Sequence, residues 1–455
     1  MKNIILTLIV SFQVSSFAHV AAILDNGMDY THKELKYKIK INEREVLNSR
    51  DDDHNGYRDD IRGWNFINMS NKVFDLHRDI EITDEIKLYY ALKAKFSLET
   101  ITDTELATYE ELKKDKELKK KRKELTSWIH GTHVGAIAVS TKDLPRELTS
   151  RDLKALIITY LGKATEGPAK APEFTPLKSG TELQKKKHIA SHWKKYISWQ
   201  VKKLGLAVEY AASKAVVING SFGQSFKGAK KMVSAVYKEQ YDKELSDEEA
   251  VIQARVFMTS LIEKSTILIK RYPKMLFVFS AGNKKSDTDE FLHFPSSIRL
   301  PNLLSVGASF DFQTMAYFSN FGKKTVDLFA PGVAIKSAIP KQEYLKINGT
   351  SQAAPFITNV ALKAFTLATK IGVRLTAKTL KQIIMDTVQV RTELKDKSVS
   401  SGIVYPNRIY SAIRFLRDHK RLKAIALAIK KYPTIVINKS LKVEDGFLME
   451  LPEIN

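Results

Sequence analysis

Short apolar runs that stop at polar residues recur along this chain. His19–Leu24 is one; it ends at Asp25 and is followed by the turn signal Asn26-Gly27. Ala215–Ile218, Lys274–Phe279 and Leu303–Gly307 are others. Their continuous apolarity, without alternation, predicts strands buried on both faces, as in a parallel sheet. The stretches between them have helical spacing. Residues 181–213 form a lysine-rich helical stretch. Residues 76–126 contain neither glycine nor proline, and apolar and charged positions alternate there at helical spacing. That pattern predicts two helices forming a charged arm. Strands alternating with helices predict an α/β fold around a parallel sheet. In such sheets a site lies outside the carboxyl ends of the strands. Asp25, Ser221 and Asn283 each stand directly after an apolar run, and so at that edge. No internal repeat is visible.

Composition narrows the picture. The chain has 455 residues, a 44% hydrophobic fraction and no cysteine. A sizeable core is therefore available, whereas disulfides, thiolate metal sites and a cysteine nucleophile are excluded. The first 18 residues begin with Lys2, run apolar from Ile4 to Phe17, and place Ser16 and Ala18 at −3 and −1 of a cut after Ala18. This reads as a secretory signal peptide, with export to the periplasm or the extracellular space. No later stretch reaches the ~20 apolar residues of a membrane span, so none is expected in the mature form. The net charge of +22 is spread over the chain, with dense lysine runs near 113–123, 185–203 and 417–431. Solvated helix faces account for it better than a nucleic-acid partner, and no stable nucleic-acid partner is expected.

Three distant segments carry candidate chemistry: Ile23-Leu24-Asp25-Asn26-Gly27, His130-Gly131-Thr132-His133-Val134-Gly135, and Asn348-Gly349-Thr350-Ser351-Gln352-Ala353-Ala354-Pro355. A serine hydroxyl needs a base within hydrogen-bond reach, and the base needs an orienting acid. Asp25, His130 and Ser351 supply those types in the order Asp…His…Ser, one of three unrelated orders in which this triad occurs. The apolar, helix-favouring residues after Ser351 place it at a helix N-terminus, whose positive end steadies developing negative charge. Each segment alone has a plainer reading. Gly-Thr-Ser is often a helix cap, and Asp after a strand likewise. Two histidines three apart also fit metal ligation, but no third ligand lies nearby and glycines break the segment.

Together these segments resemble the subtilisin-like serine peptidases. The resemblance implies a three-layer α/β sandwich with a central, mostly parallel, twisted sheet flanked by helices. It also implies catalytic roles for Asp25, His130 and Ser351 and hydrolysis of peptide bonds in protein or peptide substrates through an acyl-enzyme, with no cofactor required for the chemistry. Val278-Phe279-Ser280-Ala281-Gly282-Asn283 resembles the family's oxyanion element, so Asn283 is expected to donate to the tetrahedral oxyanion. Val217-Ile218-Asn219-Gly220-Ser221-Phe222-Gly223 resembles its substrate-binding edge strand. Ser221, Phe222, Gly223, Ser280, Ala281 and Gly282 are the expected substrate-binding residues. Phe294-Pro295-Ser296, Val306-Gly307-Ala308, Phe318-Ser319-Asn320-Phe321-Gly322 and Ala330-Pro331-Gly332 match the run that leads into the serine motif. The similarity covers about 19–75, 127–140 and 205–415.

The chain also departs from that pattern. Gln352 follows the serine where the family usually has methionine, and Asn26 follows the aspartate where serine or threonine is usual; both are expected to tune activity. Six residues separate the expected cut from Asp25, leaving no room for the family's usual N-terminal prodomain, so either folding needs no such help or the true start lies upstream. The glycine-rich substrate strand expected within 141–214 is not recognisable. Asp51, Asp53, Asn55 and Asp59 stand at positions one, three, five and nine of a calcium-type loop with Gly56 at six, but Arg62 occupies position twelve. This predicts either a structural calcium site or an acidic turn paired to nearby arginines. The expected organisation is a signal peptide over 1–18, a peptidase domain over 19–415 interrupted by the 76–126 helical insertion, and a basic C-terminal extension over 416–455. The alternative to an enzyme is a protease fold kept as a binding or scaffold module that works through its basic arm.

Overall fold

The structure, a computed structural model, describes residues 19–164, 167, 169–310 and 314–434. The expected signal peptide lies outside the described residues. The main sheet is built from β1 (His19–Asp25), β2 (Gly63–Asn65), β3 (Leu153–Thr159), β4 (Val217–Gly220), β5 (Leu276–Ser280), β6 (Leu303–Ser309) and β7 (Leu328–Pro331). A separate hairpin follows, β8 (Ile335–Ile339) and β9 (Glu343–Ile347), and the last two strands, β10 (Gln389–Val390) and β11 (Gly402–Ile403), return to the main sheet. The sheet order is β10-β11-β7-β6-β5-β4-β1-β3-β2. All its pairings are parallel except β10 with β11. The mostly parallel α/β sandwich implied by the motifs is therefore the observed fold.

The helices are α1 (Asp84–Ser97), α2 (Asp103–Lys114), α3 (Lys116–Ala138), α4 (Glu182–Ala212), α5 (Phe226–Tyr241), α6 (Asp247–Ile269), α7 (Thr350–Lys370), α8 (Ala377–Asp386), α9 (Pro406–Phe415) and α10 (Arg421–Lys431). Strand β1 explains the layering. Side chains alternate across a strand. Val20, Ala22 and Leu24 pack with residues of α4, α5 and α6, whereas Ala21 and Ile23 pack with Val134 and Ala138 of α3 and Leu362 of α7. Both faces are covered, which is why the strand is apolar throughout until Asp25. Helix α7 is buried over most of its circumference, since it crosses the middle of one face.

The arm differs from expectation in two ways. It has three helices rather than two, and the third runs through the HGTH segment without a break. The joint between α2 and α3 carries no glycine or proline. Asp115 makes it, ending α2 and capping α3 by accepting from the Leu118 N–H at 2.7 Å. The arm buries Ile86, Tyr89, Leu125 and Trp128 against Ile339 and Leu345 of the β8–β9 hairpin. The basic stretch after 415 begins as α10, which packs on α9 through Ala424, Ile425 and Ala428; residues 435–455 lie outside the described residues.

One buried carboxylate ties the far end of the sheet together. Asp327 is fully buried and meets Arg299 in a two-pronged contact at 2.6 and 3.0 Å, the Lys381 ammonium at 3.0 Å and the Ser305 N–H at 2.8 Å. Burial pushes its pKa up, but Lys381 and Arg299 outweigh that and hold it below the usual range. The stability it contributes is present above the unfolded pKa and is lost as pH falls through the folded one. Asp327→Ala leaves both cations without their carboxylate; the expected cost is about 3–5 kcal/mol, read from chemical denaturation at pH 7. A loss under ~1 kcal/mol would show that the cluster does not hold the sheet.

Candidate active site

Asp25 is the last residue of β1 and fully buried. Its carboxylate accepts from the Asn26 N–H at 2.8 Å and faces His130 Nδ1 at 2.8 and 3.0 Å. The loop after β3 pins its backbone, since the N–H groups of Tyr160 and Leu161 both donate to the Asp25 carbonyl. His130 arrives from the middle of α3, which lies against the turn after β1. A β carbon on Gly131 would stand 2.0 Å from the Gly27 carbonyl oxygen, so only glycine at 131 allows this approach. Burial alone would lower the His130 pKa. The charge of Asp25 and its hydrogen bond more than reverse this, so the imidazole holds a proton to higher pH than an ordinary histidine.

The second histidine of the motif is structural. Burial drives the His133 pKa down to about 3. Its Nε2 donates to the Leu345 carbonyl at 3.1 Å, leaving Nδ1 to accept from Gln352 Nε2 at 3.4 Å. With Nδ1 of His130 on Asp25 and Nε2 of His133 on a carbonyl, the pair does not converge on a metal.

Ser351 stands in the first turn of α7, where helical amides have no carbonyl four residues back. Its hydroxyl donates to the Ser221 carbonyl at 3.3 Å. Among the described residues no hydrogen bond joins it to His130; such bonds are often long before substrate binds. Pro355 lies four residues on and lacks the N–H that would take the Ser351 carbonyl. The Ser221 hydroxyl takes that carbonyl instead, at 3.0 Å, and accepts from Asn219 Nδ2 at 3.0 Å. The Ser351 turn and the segment after β4 are thus bonded in both directions.

Asn283 follows β5 and is exposed. Its Oδ1 accepts from both the N–H and the hydroxyl of Thr350, at 2.8 and 2.9 Å. The amide oxygen is committed, so the NH2 group is the end turned to the cleft. Thr350 Oγ1 also accepts from the Gly282 N–H at 3.1 Å. Asn320 fastens the same loop from behind: its Nδ2 donates to the Ala281 carbonyl, and its Oδ1 accepts from the N–H groups of Lys284 and Ser286.

The sequence-predicted residues Asp25, Ser351, Asn283, Ser221, Phe222, Gly223, Ser280, Ala281 and Gly282 lie at the carboxyl edge of the sheet around β1, β4 and β5 or at the start of α7, and α3 brings His130 to Asp25. Sequence reasoning missed several supports. Asn320 belongs to the Phe318–Gly322 motif, but nothing local to it marks a support for the Asn283 loop. Asn348 joins the arm to the Ser351 turn: its Nδ2 donates to Ser97 Oγ at 2.6 Å, and its Oδ1 accepts from the Ala334 N–H at 2.7 Å. His293, fixed between Gly223 and Gly282, carried no local signal.

The acidic loop is only partly assembled as expected. Asp51 and Asp53 come together with Glu45, with ligand oxygens within 4.8 Å of one another. Asp59 faces away, accepting from the Asn48 and Ser49 N–H groups, while Asn55 Oδ1 accepts from the Tyr57 N–H. Burial pushes the Asp53 pKa up, but hydrogen bonds from Asn42 and Asn55 outweigh it and hold the carboxyl low. No lysine or arginine makes an ion pair with Glu45, Asp51 or Asp53 among the described residues; Glu45 accepts from the Asp53 and Asp59 N–H groups and Asp51 from those of Asn55 and Gly56.

Comparisons with known proteins place the chain in a family. The chain is 35% identical to the "Extracellular basic protease" of Dichelobacter nodosus over 168 residues, 35% of this chain and 26% of that one. It is 24% identical to "Subtilisin-like protease 1" of Plasmodium falciparum over 424 residues, 91% of this chain and 44% of the relative. The chain therefore spans less than half the length of these two relatives. A cold-adapted subtilisin-like serine proteinase of known structure matches at 18% identity and a TM-score of 0.42, covering 86% of this chain and 89% of that one. A lanthipeptide protease matches at 16% identity and 0.47, covering 86% of each. The family model described as the subtilase family, peptidase S8, matches residues 18–405, from the first strand to beyond β11, and the chain belongs to that family.

Proposed function

We propose that this chain is an exported serine endopeptidase that works through Asp25, His130 and Ser351. The observation that carries the reading is the fully buried Asp25 carboxylate on His130 Nδ1, at the sheet edge where Ser351 and Asn283 also lie. Ser351 Oγ leaves the Ser221 carbonyl and gives its proton to His130 Nε2 as it attacks the substrate carbonyl. Asp25 holds the imidazole in the tautomer with Nδ1–H and steadies the imidazolium that forms. The oxyanion takes hydrogen bonds from Asn283 Nδ2 and the Ser351 N–H, at the positive end of α7. His130 then protonates the leaving amine, and water resolves the acyl-enzyme. No cofactor enters these steps. The substrate backbone pairs with the Ser221–Gly223 segment by strand addition.

Export is supported by the predicted signal peptide and by the name of the Dichelobacter relative, and leaves the periplasm or the exterior as the compartment. No helix among the described residues is long and apolar enough to cross a membrane. The domain plan proposed from sequence is retained, with the arm as an insertion that packs on the β8–β9 hairpin. A calcium ion held by Glu45, Asp51 and Asp53 fits the donor set and would brace the loop after β1; it takes no part in the chemistry.

A fluorophosphonate is expected to label the folded protein at Ser351 only, and Ser351→Ala to abolish both labelling and peptide cleavage. Asn283→Ala, with the serine still in place, is expected to lower kcat by ~10²–10³. An unlabelled Ser351 in folded protein would sink the enzyme reading. Added calcium is expected to raise Tm by a few degrees through preferential binding to the folded state, and a chelator to reverse it. Asp51→Asn with Asp53→Asn should remove the increment; a Tm indifferent to calcium would leave the cluster as a plain acidic turn.

A further inference from the structure

One side chain from the loop before β6 lies against both Ser221–Gly223 and Ser280–Gly282, the segments expected to bind substrate. A β carbon on Gly223 would stand 2.2 Å from His293 Cε1, and one on Gly282 would stand 2.7 Å from His293 Nε2. The imidazole therefore rests on both segments at once, in the space that their two glycines leave. It is 5% exposed.

The ring is held there from three sides. Its Nδ1 lies 2.9 Å from Ser296 Oγ, and its backbone N–H donates to Ser297 Oγ at 2.9 Å. Next to it, Phe294 exchanges backbone hydrogen bonds with Gln224, N–H to carbonyl in both directions, at 3.1 and 2.9 Å. This ties the His293 loop to the end of the Ser221–Gly223 segment. Burial lowers the His293 pKa to about 4, so the ring is neutral at pH 7. Among the described residues its Nε2 makes no hydrogen bond. A side chain so anchored in a close-packed region does not swing away without moving the loop.

The position of substrate follows from the reading above, on which this inference rests. A carbonyl carbon at Ser351 Oγ with its oxygen on Asn283 Nδ2 places the acyl-side residue between the segments that follow β4 and β5. Its side chain then enters a pocket between those segments, where the imidazole touches both. We propose that His293 sets the depth of this pocket and restricts the residue on the acyl side of the scissile bond to short side chains, alanine and serine in size. A hydroxyl there also meets the unbonded Nε2, whereas leucine or phenylalanine meets the ring itself.

The test is a set of peptides that differ only at the acyl-side residue, cleaved by the wild-type protein, by His293→Gly and by His293→Ala. Titration with a fluorophosphonate counts the competent sites in each preparation, so rates are compared per site. Wild type is expected to favour alanine and serine over leucine and phenylalanine by ~10²-fold in kcat/KM. His293→Gly should raise kcat/KM on the two large residues by about tenfold or more, since a methylene's worth of space changes discrimination by about 10–200-fold. His293→Ala should fall between, and serves alone if the glycine variant does not fold. Wild type that cleaves after leucine or phenylalanine as fast as after alanine overturns the proposal. So does an unchanged profile in variants that titrate fully. Cleavage that survives Ser351→Ala, or no cleavage at all, overturns the peptidase reading itself and this inference with it.

Discussion

The Asp25–His130 hydrogen bond is the contact on which the rest of the site depends. A carboxylate with no exposure is tolerated only when it is paired. Asp25 meets that condition with one imidazole and one backbone N–H. The bond requires β1 to end where it does, at the sheet's carboxyl edge, and α3 to approach the Gly27 turn closely enough that residue 131 must be glycine. It sets the imidazole's orientation and presents the other ring nitrogen to the cleft.

The Ser351 side of the site is organised by backbone groups that the helix leaves unpaired. Pro355 frees the Ser351 carbonyl, and Ser221 takes it. The start of α7 leaves the Thr350 N–H free, and Asn283 takes it, which turns the Asn283 amide group outward. The arm belongs to the same arrangement. Ser97 at the end of α1 holds Asn348, three residues before Ser351, while the arm's apolar face covers the hairpin from which that segment emerges. The charged arm is thus more than a solvated surface: its inner side bears on the turn that carries Ser351. Gln352, in place of a sulfur side chain, is engaged with buried His133 rather than with the cleft.

Much of the fold was legible because a strand covered on both faces must be apolar throughout. β1, β4, β5 and β6 were all found within two residues or so at each end. β3, Leu153–Thr159, is as apolar as β1 but lies in 141–214, where no motif drew attention to it, and it was missed. The joint between α2 and α3 was missed because an aspartate cap, not a glycine or proline, makes it. The reacting groups were readable as local motifs. Their supports were not, because Ser97 with Asn348, Glu45 with Asp51 and Asp53, and His293 with Gly223 and Gly282 meet only once the chain is folded. The acidic loop shows the limit of spacing alone: its first two carboxylates converge, while Asp59 satisfies backbone amides instead.

The most direct measurement is an NMR titration of the His130 imidazole in the Ser351→Ala protein, where no turnover disturbs the sample. The account predicts a midpoint above the ordinary 6.5, because the charge and hydrogen bond of Asp25 outweigh burial. Adding Asp25→Asn removes the charge and leaves only a neutral acceptor against burial, so the midpoint should then fall. A midpoint at or below 6.5 with Asp25 in place, or one that Asp25→Asn does not lower, would contradict the claim that this buried carboxylate governs the base.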